Sequence, residues 1–401
     1  MVQTYLDLLH AELSSRRLDL RDIRYTEEVA AKHKALVALC RELSLKATLE
    51  KLQPSPLPRG YRTTSRRRVK GKGSGFFLEL HAAAGSPSLE PETHRAVFDC
   101  VAEVLRRPTM KLLGRDLNHI IVRGVADELA VIFNVRGLDA AKVRRLRTVV
   151  DELLGLPHPI RSAHVFLDPS GSDYYFESDR PKQQLSWKTL YGSDHLRLRL
   201  RDRTLRYHPT AFCQINGSLL PAMVDTVERL LEPTGNERLL DLYCGFGLFG
   251  LCLSDKVSSV LGLDWEGAAI ESAKDNARRD PKARSLSYRA VSITAEAIAQ
   301  LKPPREGASE LVLLDPPRSG TAEGVVEALA ERHPRRVVHV LCNIDRLEPE
   351  LAQWRRCGYE PVTLAGLDMF PGTPHLEVML KLEPRVGQKV SSAARRHRAG
   401  T

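Results

Sequence analysis

Leu239-Leu240-Asp241-Leu242 is a short apolar run that passes directly into Tyr243-Cys244-Gly245-Phe246-Gly247-Leu248-Phe249-Gly250, after which Leu251, Cys252 and Leu253 read as a helix. A strand, a glycine turn and a helix in that order open a parallel sheet, because parallel neighbours need a crossover, usually a helical one. From Leu205 to about Pro384 the same grammar repeats, with short apolar strands alternating with helical stretches. The expected fold there is α/β, a mostly parallel doubly wound sheet. Glycines in the turn let a ligand approach the backbone closely, so a nucleotide-like cofactor is expected at the carboxyl edge of that sheet.

The following strands narrow its identity. Val260-Leu261-Gly262-Leu263 ends in Asp264, about twenty residues past the glycines, where a carboxylate accepts the hydroxyls of a ribose. Nicotinamide and sulfonium cofactors both carry a ribose, so these two elements alone leave a dehydrogenase and a methyltransferase open. Leu311-Val312-Leu313-Leu314 then runs into Asp315-Pro316-Pro317-Arg318, and an Asp-Pro-Pro at a strand end is similar to the base-binding motif of nucleic-acid methyltransferases. Two prolines stiffen such a turn and leave carbonyls that no helix claims. Val337-Val338-His339-Val340-Leu341 ends in Cys342-Asn343. A cysteine beside an apolar strand is by default a small buried hydrophobe, but the topology puts Cys342 on the edge that carries the glycine loop, Asp264 and Asp315. Downstream, Leu376, Val378, Leu380 and Leu382 alternate with Glu377, Met379 and Lys381. An antiparallel last strand brings Glu377, at its beginning, to that same edge.

Four segments are expected. Residues 1–54 form a helical N-terminal extension, with Leu6, Leu9 and Leu13 on one face and Val29, Leu36, Leu39, Cys40 and Leu43 on another. After Pro54, Ser55, Pro56 and Pro58, residues 55–204 read as an α+β RNA-binding region, including the strands Asn118–Arg123 and Leu129–Asn134 and a helix bearing Lys142, Arg144, Arg145 and Arg147. Residues 205–384 are the doubly wound domain, and 385–401 a basic disordered tail. Sixty Lys and Arg against fifty Asp and Glu leave a net charge of +10, which favours a polyanionic partner. Arg66, Arg67 and Arg68, with Lys70 and Lys72, suit phosphate contacts, and Tyr61, Phe76 and Phe77 suit base stacking. Seven scattered cysteines, with no Cys-x-x-Cys pair, argue against a disulfide scaffold, a zinc knuckle or an iron–sulfur cluster. No apolar run approaches the roughly 20 residues of a membrane helix and Met1–Asp7 lacks the layout of a signal peptide, so a cytoplasmic location with no membrane and no obligate protein partner is expected.

The chain resembles the S-adenosylmethionine-dependent RNA uridine carbon-5 methyltransferases, which make 5-methyluridine in transfer and ribosomal RNA. The matching stretches are Phe212-Cys213-Gln214-Ile215-Asn216, Asp241–Phe249, Asp315–Gly320, Leu341-Cys342-Asn343, and Asp368-Met369-Phe370-Pro371 with His375-Leu376-Glu377. They span roughly 205 to 383; the first half is matched only faintly, through Tyr61-Arg62, and the opening helices not at all. The resemblance implies a Rossmann-like class I methyltransferase domain using S-adenosylmethionine. It implies that Gln214, Tyr243, Gly245, Gly247, Leu248, Asp264 and Asp315 line the cofactor and base pocket, that Arg318 faces the substrate, that Cys342 is the nucleophile and that Glu377 is the base. Leu248 stands where the family often has a polar residue touching the cofactor, and Ile344 replaces the proline that usually follows Cys-Asn.

Carbon 5 of uracil is a poor nucleophile, and a thiolate adding at carbon 6 activates it as an enolate; a base must then take the carbon-5 proton so that the thiolate leaves. Cys342 and Glu377 are the two groups this scheme requires. Gln214, Arg318 or backbone donors are candidates to stabilise the enolate oxygen, and His375 competes for the proton work. A paired uridine must also leave its stack. The resemblance implies tRNA over rRNA as substrate, since the clustered cysteines with which ribosomal-RNA members hold an iron–sulfur cluster are missing. A nicotinamide dehydrogenase leaves Asp315-Pro316-Pro317, Cys342 and Glu377 without a task, and a non-catalytic RNA-binding factor that kept the fold is the non-enzymatic alternative.

Overall fold

The computed structural model describes residues 3–14, 19–72, 75–79, 87–125, 127–171, 186–265, 267–283 and 285–385. The chain opens with α1 (Tyr5–Glu12), α2 (Tyr25–Glu42) and a two-residue strand β1 (Thr48–Leu49). Next come β2 (Thr64–Lys72), β3 (Gly75–Leu78), α3 (Glu92–Leu105), α4 (Lys111–Asp116), β4 (Leu117–Arg123), β5 (Leu129–Val135), α5 (Ala140–Leu154), β6 (Ile160–Leu167) and β7 (Ser186–Gly192). A hairpin of β8 (Leu196–Leu200) and β9 (Arg203–Tyr207) leads to α6 (Leu220–Leu231). Then follow β10 (Arg238–Leu242), α7 (Leu248–Leu253), β11 (Ser259–Asp264), α8 (Ala268–Arg279), β12 (Leu286–Ala290), α9 (Ala295–Ala299), β13 (Glu310–Leu314), α10 (Val325–Ala330), β14 (Arg336–Leu341), α11 (Leu347–Arg356), β15 (Tyr359–Leu367) and β16 (Glu377–Pro384).

Eight strands make the large sheet in the order β1-β15-β16-β14-β13-β10-β11-β12. All neighbours are parallel except β16, which runs antiparallel to both β14 and β15. Successive residues of its central strands point to opposite faces: Leu240, Leu242, Val312 and Leu314 enter one core, Leu239, Leu311, Leu313 and Val338 the other. Burial on both faces is why these strands read as unbroken apolar runs. The order reverses between β10 and β13, and the register Leu242↔Leu263 and Leu242↔Leu314 brings the chain after all three strands out on one edge. That crevice at the switch point is where an open α/β sheet binds its ligand.

The helices of the extension are built into this sheet. Tyr5, Leu8 and Leu9 of α1 and Ala35, Leu36 and Leu39 of α2 share a core with Leu364, Leu380 and Trp354, and β1 pairs in parallel with β15 at the sheet edge. Leu36, Leu39 and Cys40 are buried, while Val29 and Leu43 are only partly so. Buried among them on α2 are also Glu28 and Lys32.

The second sheet has six strands in the order β3-β2-β4-β5-β6-β7, with α3, α4 and α5 packed on one face around Val97, Phe98, Leu113, Leu146 and Val149. Asp139 caps α5 by accepting from the Lys142 backbone N–H at 2.8 Å, which starts the expected basic helix. The β8–β9 hairpin sends Leu196, Leu200, Leu205 and Tyr207 into the core of the large sheet. The basic tail lies, apart from Arg385, outside the described residues.

Candidate active site

Tyr243 leaves β10 with φ +60°, in the left-handed region that non-glycine residues avoid, and Gly245 (φ +55°) and Gly247 (φ +86°) continue the sharp turn. Asp241 pins it from below, accepting the Gly250 N–H at 2.8 Å, and Asp264 pins it from the side, accepting the Gly245 N–H at 2.6 Å and the Trp265 N–H at 2.7 Å. Packing adds a second reason for glycine here. A Cβ at Gly247 would stand 2.4 Å from the Tyr288 hydroxyl, which itself donates to the Gly247 carbonyl at 3.0 Å. A Cβ on Gly245 would meet open space.

Asp315 follows β13, and its Oδ2 accepts from Gln214 Nε2 at 3.2 Å, joining the segment before α6 to the strand edge. The backbone of that segment is held in turn: the Thr63 hydroxyl donates to the Gln214 carbonyl at 2.8 Å. Cys342 follows β14 and is half-buried. The antiparallel ladder pairs Leu341 with Val378, so its next step sets Cys342 opposite Glu377. Asn343 Nδ2 donates to the Arg318 carbonyl at 3.3 Å and ties the Asp-Pro-Pro-Arg turn to the cysteine. Ile344 is buried in the core, filling the position where the family's proline was expected. His375 is exposed on the approach to Glu377, edge-on to Phe370 at 6.2 Å.

Four carboxyl groups therefore share the edge. Burial pushes Asp241 up to about 7, opposed by the Gly250 N–H and reinforced by Asp315 and Asp264. Burial likewise lifts Asp315 to about 7, with Asp264 adding and Gln214 opposing. Asp264 is raised by burial against its two backbone donors. Glu377 is fully buried with neither oxygen hydrogen-bonded among the described residues, and burial followed by the Asp315 charge drives it well above its ordinary value. Burial, then Glu377 and Asp315, push the Cys342 thiol up to about 12, while Arg318 opposes. A cation bound among these carboxyls would favour their charged forms. A sulfonium-bearing nucleoside fits the donor set: acceptors at Asp264 for a ribose, unpartnered oxygens on Asp241 and Glu377, and space beside Gly245.

Other expected contacts fall elsewhere. The Leu248 side chain is buried in the core shared with α6, so the structure does not bring it to the open edge. Arg67 points into the protein, where its guanidinium donates to Glu90 at 2.6 Å and lies 4.3 Å from the centre of the Phe98 ring. Its expected phosphate contact is thereby corrected, because strand alternation sends it to the face opposite Arg66 and Arg68, which are both half-exposed. Lys70 pairs with Glu79 at 2.6 Å. Tyr61 is buried, its hydroxyl donating to the Pro371 carbonyl at 3.1 Å, and the Phe76 ring is pressed against Gly114. Of the three expected stacking rings only Phe77 is well exposed. Two exposed rings that flank the site escape the sequence reasoning, Phe212 two residues before Gln214 and Trp265 directly after Asp264. Their signal is a large aromatic adjoining a site residue on the expected ligand edge.

Fold and site together define a methyltransferase that takes S-adenosylmethionine and carries a cysteine and a carboxylate beside its Asp-Pro-Pro turn. The family model for tRNA (uracil-5-)-methyltransferase matches residues 178–385, just over half of the chain, and the chain belongs to that family, the S-adenosylmethionine-dependent RNA uracil carbon-5 methyltransferases. It is 27% identical over 372 residues to an uncharacterized RNA methyltransferase of Thermotoga maritima, covering 90% of this chain and 81% of that protein. It is 32% identical over 323 residues to a 23S rRNA (uracil(1939)-C(5))-methyltransferase of Pectobacterium carotovorum, covering 80% of this chain and 65% of that one. The fold is similar to that of the Pyrococcus abyssi tRNA (uracil-54, C5)-methyltransferase in complex with S-adenosyl-L-homocysteine, with a TM-score of 0.68 and 24% identity over 92% of this chain and 87% of that one. Among the described residues no helix is long and apolar enough to cross a membrane.

Proposed function

We propose that this chain methylates carbon 5 of a uridine in structured RNA through a covalent adduct on Cys342. The observation that carries the reading is the β14–β16 register, which sets the thiol opposite a buried Glu377 with no hydrogen-bond partner among the described residues, while Asp315 and Arg318 adjoin both. Asp264 and the loop from Tyr243 to Gly247 hold S-adenosylmethionine, which supplies an electrophilic methyl group when bound. The Cys342 sulfur forms a bond to carbon 6 of the base, and the ring's double-bond electrons move to the carbonyl oxygen as an enolate, making carbon 5 nucleophilic. The candidates to stabilise that oxygen are Arg318, backbone donors and Gln214, whose Nε2 donates to Asp315. After methylation Glu377 takes the carbon-5 proton, the carbon–sulfur bond to Cys342 breaks and the aromatic ring is restored. Burial, Glu377 and Asp315 raise the Cys342 thiol and the Arg318 charge opposes them; the proton the half-buried thiol gives up as its sulfur bonds carbon 6 passes to solvent.

Arg66 and Arg68, on the face of β2 away from Arg67, and the exposed Phe212 are the candidates for holding RNA and the displaced base. The scattered cysteines support tRNA as the substrate; the 23S rRNA relatives support the second reading, rRNA. The cytoplasm is the expected location of this activity. Cys342→Ala tests the chemistry: methyl transfer is expected to vanish while S-adenosylmethionine binding, followed by calorimetry, survives. Turnover retained in that variant would remove the covalent route. Mapping 5-methyluridine in tRNA and rRNA with and without the gene decides between the two substrates.

A further inference from the structure

Glu377 has no hydrogen bond through its own carboxyl among the described residues, so its position is set by the backbone that carries it. That backbone is the start of β16, paired with Leu367 at the end of β15, and the turn from Asp368 to Leu376 joins the two. The first half of this turn is held by the first sixty-one residues of the chain. Lys32 Nζ donates to Asp368 Oδ1 at 2.7 Å and to the Phe370 carbonyl at 3.4 Å, and it also donates to Glu28 Oε1 at 2.7 Å. Glu28 Oε1 accepts the Gly372 N–H at 2.6 Å, and the Leu20 N–H donates to the Gly372 carbonyl at 3.1 Å. Tyr61 holds the Pro371 carbonyl at 3.1 Å, and the Asp368 N–H donates to the Gln53 carbonyl at 2.9 Å. Arg59 closes the network on Glu28 Oε2 at 3.3 Å.

The side chains of Lys32, Glu28 and Asp368 are completely buried. Desolvating three charges is costly, and a hydrophobic trio would serve plain stability as well or better. A buried ionic network is favoured where it fixes one geometry, and this one converges on a single turn. We propose that Lys32, acting with Glu28 through Asp368 and the Phe370–Gly372 backbone, is a positioning residue for the Glu377 carboxylate. This rests on the reading of Glu377 as the base. The N-terminal helices are then part of the catalytic scaffold, and disturbing them should be felt in the one step that uses Glu377, elimination of the Cys342 adduct.

The test is single-turnover methylation with methyl-labelled cofactor and a uridine-containing RNA, resolving adduct formation from release of methylated RNA on denaturing gels. Lys32→Met, Lys32→Arg, Tyr61→Phe and Glu377→Gln are compared with the wild type, and cofactor affinity reports folding. A displaced catalytic group costs roughly ten- to a hundredfold, so Lys32→Met should release product slower by that factor and accumulate adduct, with adduct formation and cofactor affinity little changed. Lys32→Arg should recover most of the release rate, and Tyr61→Phe should show the same pattern more weakly. Equal slowing of both steps, or a lower melting temperature with no adduct, overturns the proposal, since either is what a merely structural role gives. If Lys32→Met does not fold, the ratio of the two rates in Tyr61→Phe decides. If Glu377→Gln itself builds no adduct, the base assignment falls and takes this inference with it; adduct in Glu377→Gln but none in the folded Lys32 and Tyr61 variants refutes positioning alone.

Discussion

The carboxyl edge of the large sheet and the arginine run of β2 treat sequence distance in opposite ways. On the edge, Gln214, Asp264, Asp315, Cys342 and Glu377 come from five separate stretches: parallel register delivers the ends of β11, β13 and β14, the antiparallel β16 brings its beginning, and a hydrogen bond ties Gln214 to Asp315. On β2, Arg66, Arg67 and Arg68 are consecutive and separate: Arg67 turns inward to Glu90 and Phe98 while its neighbours take the other face. Topology gathers distant residues, and the two-residue period of a strand disperses adjacent ones. A charge run can be assigned to a partner only after the strand that carries it is known.

Three variants sharpen that contrast. Arg67→Ala strips a part-buried ion pair and a ring contact, so it should lower stability by about 1.5–3 kcal/mol, with no effect on the salt dependence of RNA binding by the protein that remains folded. Chemical denaturation checks the first part; an Arg67→Ala protein of wild-type stability would return Arg67 to the phosphate set. Asp264→Ala should weaken S-adenosylmethionine by roughly 1.5–3 kcal/mol, because a charge-assisted acceptor for the ribose and a clamp on the Gly245 N–H go together. Calorimetric titration reads this, and unchanged affinity in a folded variant would place the ribose elsewhere. Smallest is the pair Arg66→Ala with Arg68→Ala, which should flatten the slope of log affinity against log salt by about one unit for each phosphate no longer neutralised. A wild-type slope would mean that neither arginine meets the backbone of the RNA.

The α/β grammar is legible in the sequence because strands buried on both faces cannot hide their apolar runs; the alternation of Leu376, Val378, Leu380 and Leu382 with Glu377, Met379 and Lys381 marks a last strand, whose antiparallel direction is an expectation carried from other methyltransferase sheets. Cys342 and Glu377 follow from position, each at a strand end. Glu28 and Lys32 are not legible: a Glu and a Lys four apart on a helix look like an ordinary solvated pair, and only the contact of Lys32 with Asp368, 336 residues away in sequence, reveals a buried network. Gly247 reads as ligand clearance, and Tyr288 from β12, two strands across the sheet, supplies the packing reason that no local pattern contains. Tyr61 and Arg67 turn inward against expectation for the same cause, since aromatic and cationic character says nothing about which face of the chain is covered.

The central claim is that Cys342 and Glu377 divide one covalent cycle between them. Glu377→Gln keeps the side chain's size but removes the base, so with radiolabelled methyl cofactor and a uridine-containing RNA a denaturing gel should show a protein–RNA adduct carrying label. The same variant with Cys342→Ala added should show none. An adduct that persists without Cys342 would contradict the nucleophile, whereas an active Cys342 with no adduct in Glu377→Gln would contradict the base and make His375 the next residue to change.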